Sequence, residues 1–337
     1  MAIIPLRSPR YEILTTPSGA VSAKLELTID STLRYTITKS CTAGETVTFE
    51  IAELCRDYIT PAMYTSGNFA LSTLSKIDIS RVITFYDGAN ASGSVVAGGN
   101  TVAYDGFDGY GEYMDGANYE IPEGATNAFL LSKNPSDSYE IFLPIGHSEQ
   151  LIALNTSEEK VSVSVGSTDT SETYRSSTCT VNRIDCSKYS PTRIWFVNKF
   201  GAIQSLYFFT KEVEVLNTNQ ETYQRNTIDT STTTASYFRP ADSGNPTYPH
   251  PITTFTKNGK KSYSLSSGYY PEWANVYFEQ LMLSEYIWIK ETVGSAAKPL
   301  AVQLKTSSMT YKTSLNDRLI EYTMDFEESF DHINNVR

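Results

Sequence analysis

Residues 103–120 read AYDGFDGYGEYMDGANYE, the part of this chain most like a ligand site. Asp105, Asp108, Glu112 and Asp115 could converge on a hard cation such as calcium, which takes carboxylate and carbonyl oxygens. Their spacing does not match the Asp-x-Asp/Asn-x-Asp/Asn-Gly loop of an EF-hand. The same carboxylates could serve as the acid and base of a glycosidase, with Tyr110 and Tyr113 as sugar platforms. Such chemistry needs a defined carboxylate separation, which these intervals do not set. The expectation for 103–120 is therefore an exposed turn or a subunit-contact loop that holds no metal.

Other chemistry-bearing patterns fail on spacing. KNGKKS (257–262) ends like a phosphate loop but has no glycine five residues before Gly259, so the amide cradle is missing. GYGEYM lacks the third glycine of a dinucleotide fingerprint. Neither a Gly-x-Ser-x-Gly elbow nor a His-Glu-x-x-His helix occurs. His147, His250 and His332 are the only histidines and stand far apart. Cys41, Cys55, Cys179 and Cys186 are too few for a disulfide scaffold. They read as free thiols, with a Cys179–Cys186 bond on a hairpin as the alternative. No cofactor and no catalytic residue is expected.

The elements that must carry these residues are β-strands. Ser and Thr dominate the polar residues, and aromatics make up 12% of the 337 residues, a composition that favours pleated, half-buried surfaces. VSAKLELTID (21–30) puts Val21, Ala23, Leu25, Leu27 and Ile29 on one face. TLRYTITKS (32–40) answers with Leu33, Tyr35 and Ile37 after a tight Asp30-Ser31 turn. Similar alternation recurs along the chain, so the expected fold is mainly β: one or more antiparallel β-sandwich domains. Helix is scarce. A short one is expected from about Ile51. A better one spans 271–283, where Trp273, Val276, Tyr277, Leu281 and Met282 can share a face.

The expected organisation is a β-sandwich region over 1–215, with a split near 150, then an arm over 216–262, then a helix and strands completing a C-terminal domain over 263–337. The arm is rich in Ser, Thr and Pro and lacks an apolar period, so it reads as extended. Tyr237, Phe238, Tyr248 and Phe255 lie along it at wide intervals, as aromatic anchors for a neighbouring subunit. The formal charge of −11, from 38 acidic and 27 basic residues, argues against a nucleic-acid partner. No window approaches the roughly 18 apolar residues of a membrane span, and no secretory signal is read at the N-terminus.

PTRIWFVNKFGAIQSLYFFTK (191–211) is the densest aromatic stretch. Alternation sends Ile194 and Phe196 to one face and Trp195 and Val197 to the other, so both faces of this hairpin need cover. The expectation is a central hairpin whose second face is covered either by the same core or by another subunit. Trp195, Phe196 and Phe200 are then interface candidates. RIWFVNKFGA (193–202) and the following SLYFFT resemble an Asn-x-x-Gly hairpin of tailed-bacteriophage virion structural proteins. SGYYPEWANVYFEQLMLSEYIWI (267–289) and LNDRLIEYTMDFEESFDHINNVR (315–337) are similar in flavour. The resemblance implies a non-enzymatic tail, neck or baseplate subunit located in the virion. Its implied partners are copies of itself and other tail or neck proteins, in six- or twelve-fold rings. The alternative is a receptor-binding or head-decorating protein that grips host surface glycan through the 103–120 loop.

Overall fold

The computed structural model describes residues 2–60, 76–121, 128–133, 138–186, 188–224, 228–229, 236–237, 250, 252–293, 296–311 and 319–334. The fold is mainly β, with largely antiparallel sheets and little helix. A five-stranded sheet runs in the order β1 (Ala2–Pro5), β7 (Val95–Phe107), β6 (Ile77–Tyr86), β3 (Ser22–Ile29), β4 (Thr32–Ser40). Its inner face, with Ala23, Leu25, Leu27, Ile29, Ile79 and Ile83, meets Val47 and Phe49. Those two belong to the pair formed by β2 (Tyr11–Thr15) and β5 (Thr46–Glu50). The short helix α1 (Ala52–Arg56) closes the end of this first core with Ala52 and Cys55.

The β3–β4 hairpin shows how local rules act and where they slip. Asp30 and Ser31 both adopt positive φ, 48° and 62°, the geometry of a two-residue turn that matches strand twist. Leu33 was expected beside Tyr35 and Ile37, yet it is exposed. The ladder shifts between Leu27↔Tyr35 and Thr28↔Leu33, leaving Arg34 as an extra residue. Such a bulge reverses the facing of everything beyond it. Val21 lies just before β3 and is exposed as well.

A seven-stranded sheet runs β14 (Ile203–Phe208), β13 (Thr192–Val197), β20 (Ile287–Val293), β21 (Ala296–Leu304), β23 (Thr323–Glu328), β18 (Ile252–Ser266), β15 (Glu212–Gln224). This sheet takes strands from both sides of the expected boundaries at 215 and 262, so neither position divides it. The helix expected over 271–283 is a 3-10 turn, Glu272–Ala274, leading into α2 (Asn275–Met282). Its buried apolar residues Tyr277, Phe278 and Leu281, with Ala274 of the preceding turn, follow helical spacing and cover one face of the sheet, and Gln280 is buried beside them. Phe278 was missed from that stripe, while Trp273 and Met282 are only half-buried at its edge. Edge-to-face ring contacts fill the second core, among them Phe208–Phe326 at 5.9 Å and Tyr270–Phe278 at 5.4 Å between centroids.

Between these bodies lie smaller units. β9 (Glu149–Leu154) pairs with β10 (Lys160–Val165), and β8 (Tyr139–Pro144) pairs in parallel with β12 (Ser177–Ile184), which also pairs with β11 (Ser171–Tyr174). Two-residue pairs join β16 (Ile228–Asp229) to β17 (Ser236–Tyr237) and β19 (Tyr270–Pro271) to β22 (Leu319–Ile320). Leu151 and Ala153 of β9 enter a third core, and Ile152 and Leu154 enter a fourth with Ile3, Phe107 and Ala202. A strand buried on both faces must read as an apolar run, and LIAL does. All four cysteines are free thiols, with Cys55 and Cys179 buried. No helix among the described residues is long and apolar enough to cross a membrane.

Candidate functional site

The four carboxylates of the 103–120 segment do not converge. Asp105 lies within β7 and Asp108 just beyond it, and both are buried, so the expected exposed turn begins only later. Lys76 Nζ stands 3.1 Å from Asp105. Asp108 Oδ2 has no hydrogen-bond partner among the described residues. Burial pushes the Asp108 carboxyl above its ordinary range, against the pull of Arg7. Tyr110 is half-buried with the Arg7 guanidinium 5.0 Å from its ring centre, and burial drives its hydroxyl up to about 12. Glu112, Tyr113 and Asp115 are exposed, and Tyr113 stands 98% exposed at the loop tip.

Lys199 occupies the place a cation would take between the outer carboxylates. Its Nζ lies 2.8 Å from Glu112 Oε1 and 2.8 Å from Asp115 Oδ2. The Glu112 amide also donates to Asp115 Oδ2 at 2.8 Å. Burial disfavours ionised Asp115, but the hydrogen bonds from Lys199 and the Glu112 amide outweigh it and hold the carboxyl below its usual range. Among the described residues no group of three His, Cys, Asp or Glu is placed to share a metal ion. Replacing Glu112 and Asp115 together with alanine should lower stability by about 1–3 kcal/mol, because the carboxylates are partly open to water but Lys199, with 14% of its side chain exposed, loses both charged partners. Chelator should leave the melting temperature of both proteins unchanged; a chelator-sensitive shift lost in the double variant would reveal a cation site instead.

The turn that carries Lys199 is fixed from several sides. Asn198 is fully buried, and its Oδ1 accepts from the Phe200 and Ala202 amides at 3.0 and 3.1 Å. Asn198 Nδ2 donates to the Leu130 carbonyl at 2.8 Å. Gly201 has φ +68°, and a side chain there would sit 2.7 Å from the Asp108 carbonyl carbon. Only glycine accepts both conditions. The Asn-x-x-Gly spacing was legible as a turn, but not its anchoring to the end of β7.

Lys160, unmarked in the sequence, is buried beneath this turn. Its Nζ donates to the Gly201 carbonyl and lies 4.3 Å from the Phe107 ring centre. Burial lowers its pKa from 10.5 to about 7, opposed by Asp108. Between those two values the unfolded chain holds a proton that the folded chain has released, so stability rises with pH across the window. Below about 7 both states are charged, and the full cost of burying the ammonium is present. Lys160→Met should remove a slope approaching ~1.4 kcal/mol per pH unit. Paired denaturant titrations from pH 7 to 10 check it, and parallel stability curves would refute the assignment.

The aromatic hairpin is filled from within the chain. Ile194 and Phe196 are both 0% exposed in the second core. On the opposite face Trp195 is 5% exposed, with the Arg193 guanidinium 4.5 Å from its ring. Glu149 is buried and takes both an ion pair from Arg193 and the Tyr207 hydroxyl at 3.3 Å. Trp195 and Phe196 therefore leave the set of inter-subunit candidates, because core and ion pair occupy the faces a neighbour would need. Phe200 is half-buried against the fourth core.

The described parts of the expected arm are strands rather than an unpaired loop. β15 and β18 pair antiparallel from Glu212↔Leu265 to Gln224↔Ile252. β23 supports β18 only over Ser262–Ser266. Near the C-terminus, the His332 amide donates to the Gly259 carbonyl at 2.7 Å, and Asn258 bonds Ile333. Beyond that point β15 and β18 form a two-stranded ribbon. Threonine-rich alternation without apolar period concealed the pairing. The ladder shifts between Glu221↔Thr256 and Thr222↔Thr254, so Phe255 is the extra residue, 77% exposed. Bulges re-aim side chains in this way. Phe238 and Tyr248 lie outside the described residues, and Tyr237 is described only by its backbone, paired with Ile228.

Compared with known family models, curated proteins and solved structures, the chain matches none.

Proposed function

We propose that this chain is a non-enzymatic structural subunit of a tailed-bacteriophage virion, in the tail, neck or baseplate, and that it assembles with copies of itself and with other tail or neck proteins. The observation that carries the assembly part is the ribbon. All 13 residues of β15 are exposed; Tyr223, Ile252 and Phe255 are large apolar side chains left in water on the ribbon, and Val215 and Leu216 are likewise exposed on β15 just before it. An isolated two-stranded ribbon gains little stability in water, so such a structure is best explained by a neighbour that it grips. The virion part rests on the resemblance at 193–202, 267–289 and 315–337. Mass spectrometry of purified particles produced by a phage that encodes the chain should find it in stoichiometric amounts. Its absence from those particles, despite expression in the infected cell, would overturn the reading.

The second reading is a receptor-binding or head-decorating protein that holds surface glycan. Tyr113 favours it, because a fully presented ring can stack on a sugar face. Asp105 and Asp108 cannot contribute from their buried positions. Saturable glycan binding by the isolated chain, lost in Tyr113→Ala, would place this reading first.

A further inference from the structure

β15 ends the seven-stranded sheet, with β18 on one side and no strand of the described residues on the other. Along such an edge, backbone N–H and C=O groups point outward without a ladder partner. Proteins usually blunt an exposed edge with charged side chains, Lys above all, or with Pro, a bulge or a covering element. Residues 212–224 contain no Pro, Lys or Arg, and their charges are confined to Glu212, Glu214 and Glu221; the one irregularity in this ladder falls on β18, so β15 itself stays regular. The partner that suits this hydrogen-bonding pattern is another β-strand.

We propose that β15 pairs antiparallel with β15 of a second copy of this chain, across a two-fold axis at Thr218, joining two seven-stranded sheets edge to edge. This deepens the assembly reading above and rests on it. Charge sets the register. The charged residues of β15 are Glu212, Glu214 and Glu221, so a like strand can pair only where carboxylates avoid one another. Centring on Thr218 sets Glu212 opposite Gln224, Glu214 opposite Thr222 and Glu221 opposite Val215. No carboxylate meets another. Val213 meets Tyr223, a β-branched residue against an aromatic ring, which is a favourable cross-strand pair. A slip that moves the axis between Asn217 and Thr218 sets Glu214 against Glu221. The contact is isologous, as closed two-fold dimers require, and it satisfies both exposed edges at once.

The test is the oligomeric state of the full chain by sedimentation equilibrium at tens of micromolar. Wild type should be dimeric. Val215→Glu places a new carboxylate opposite Glu221 twice per dimer and should raise the dissociation constant by about tenfold or more. Val215→Lys places an ammonium there and should keep or tighten the dimer. Val215 is 47% exposed, so both variants should retain the wild-type fold by circular dichroism. A monomeric wild type overturns the proposal, as does equal weakening by the two substitutions or no effect of either. None of those outcomes alters whether the chain is found in purified particles, so the assembly reading stands or falls by its own measurement.

Discussion

Phe196→Ala is expected to destabilise the fold by about 3–5 kcal/mol, measured as a fall in denaturant midpoint at unchanged slope. Phe196 is 0% exposed on β13, a strand inside the sheet with β14 and β20 on either side. Removing its ring deletes a large apolar surface and leaves a cavity that a sheet held by two ladders cannot readily collapse. Phe196→Leu retains most of the volume and should recover more than half of the loss. An alanine variant as stable as wild type would mean that Phe196 does not lie in the packed second core.

Glu149→Ala should cost about 3 kcal/mol or more, because it strips a partner from a charge that is largely withdrawn from water. Arg193 has 18% of its side chain exposed, and its remaining contacts are Ser205 Oγ at 3.0 Å and the faces of Trp195 and Tyr207. The Tyr207 hydroxyl loses its acceptor in the same step. Replacing Glu149 and Arg193 together with methionine should be less damaging than Glu149→Ala alone, since no uncompensated charge remains. Thermal melts of the two variants check the order. If the double variant is the less stable, the pair contributes more through packing than through charge.

Much of the architecture was legible because it depends on neighbours in the chain. Alternation located β3, β4, β13 and β14, and the residue types at Asp30-Ser31 and Asn198–Gly201 located their turns. Proline at 271 followed by an apolar stripe at helical spacing located α2. Where the local reading failed, a non-local event intervened. The extra residue at Arg34 turned Leu33 outward, and the ribbon partner of β15 comes after residue 250, too far along the chain for alternation to reveal.

The candidate ligand loop fails for the same reason. Carboxylates in a Gly-rich segment read as exposed, since an unpaired buried charge is costly. Asp105 escapes that expectation because Lys76 reaches it, and Asp108 because Gly201 and Arg7 close over it. The sequence by itself determined the mainly β class, the hairpin turns and the position of the longer helix, all of which follow from side-chain periodicity and backbone preference within a few residues. Only the tertiary structure decided that Trp195 and Phe196 are interior, that Lys199 and Lys160 hold the 198–201 turn, and that no strand of the described residues pairs with the outer edge of β15. Burial and pairing are set by segments far apart in sequence, and their free energy depends on what each group finally meets rather than on what it is.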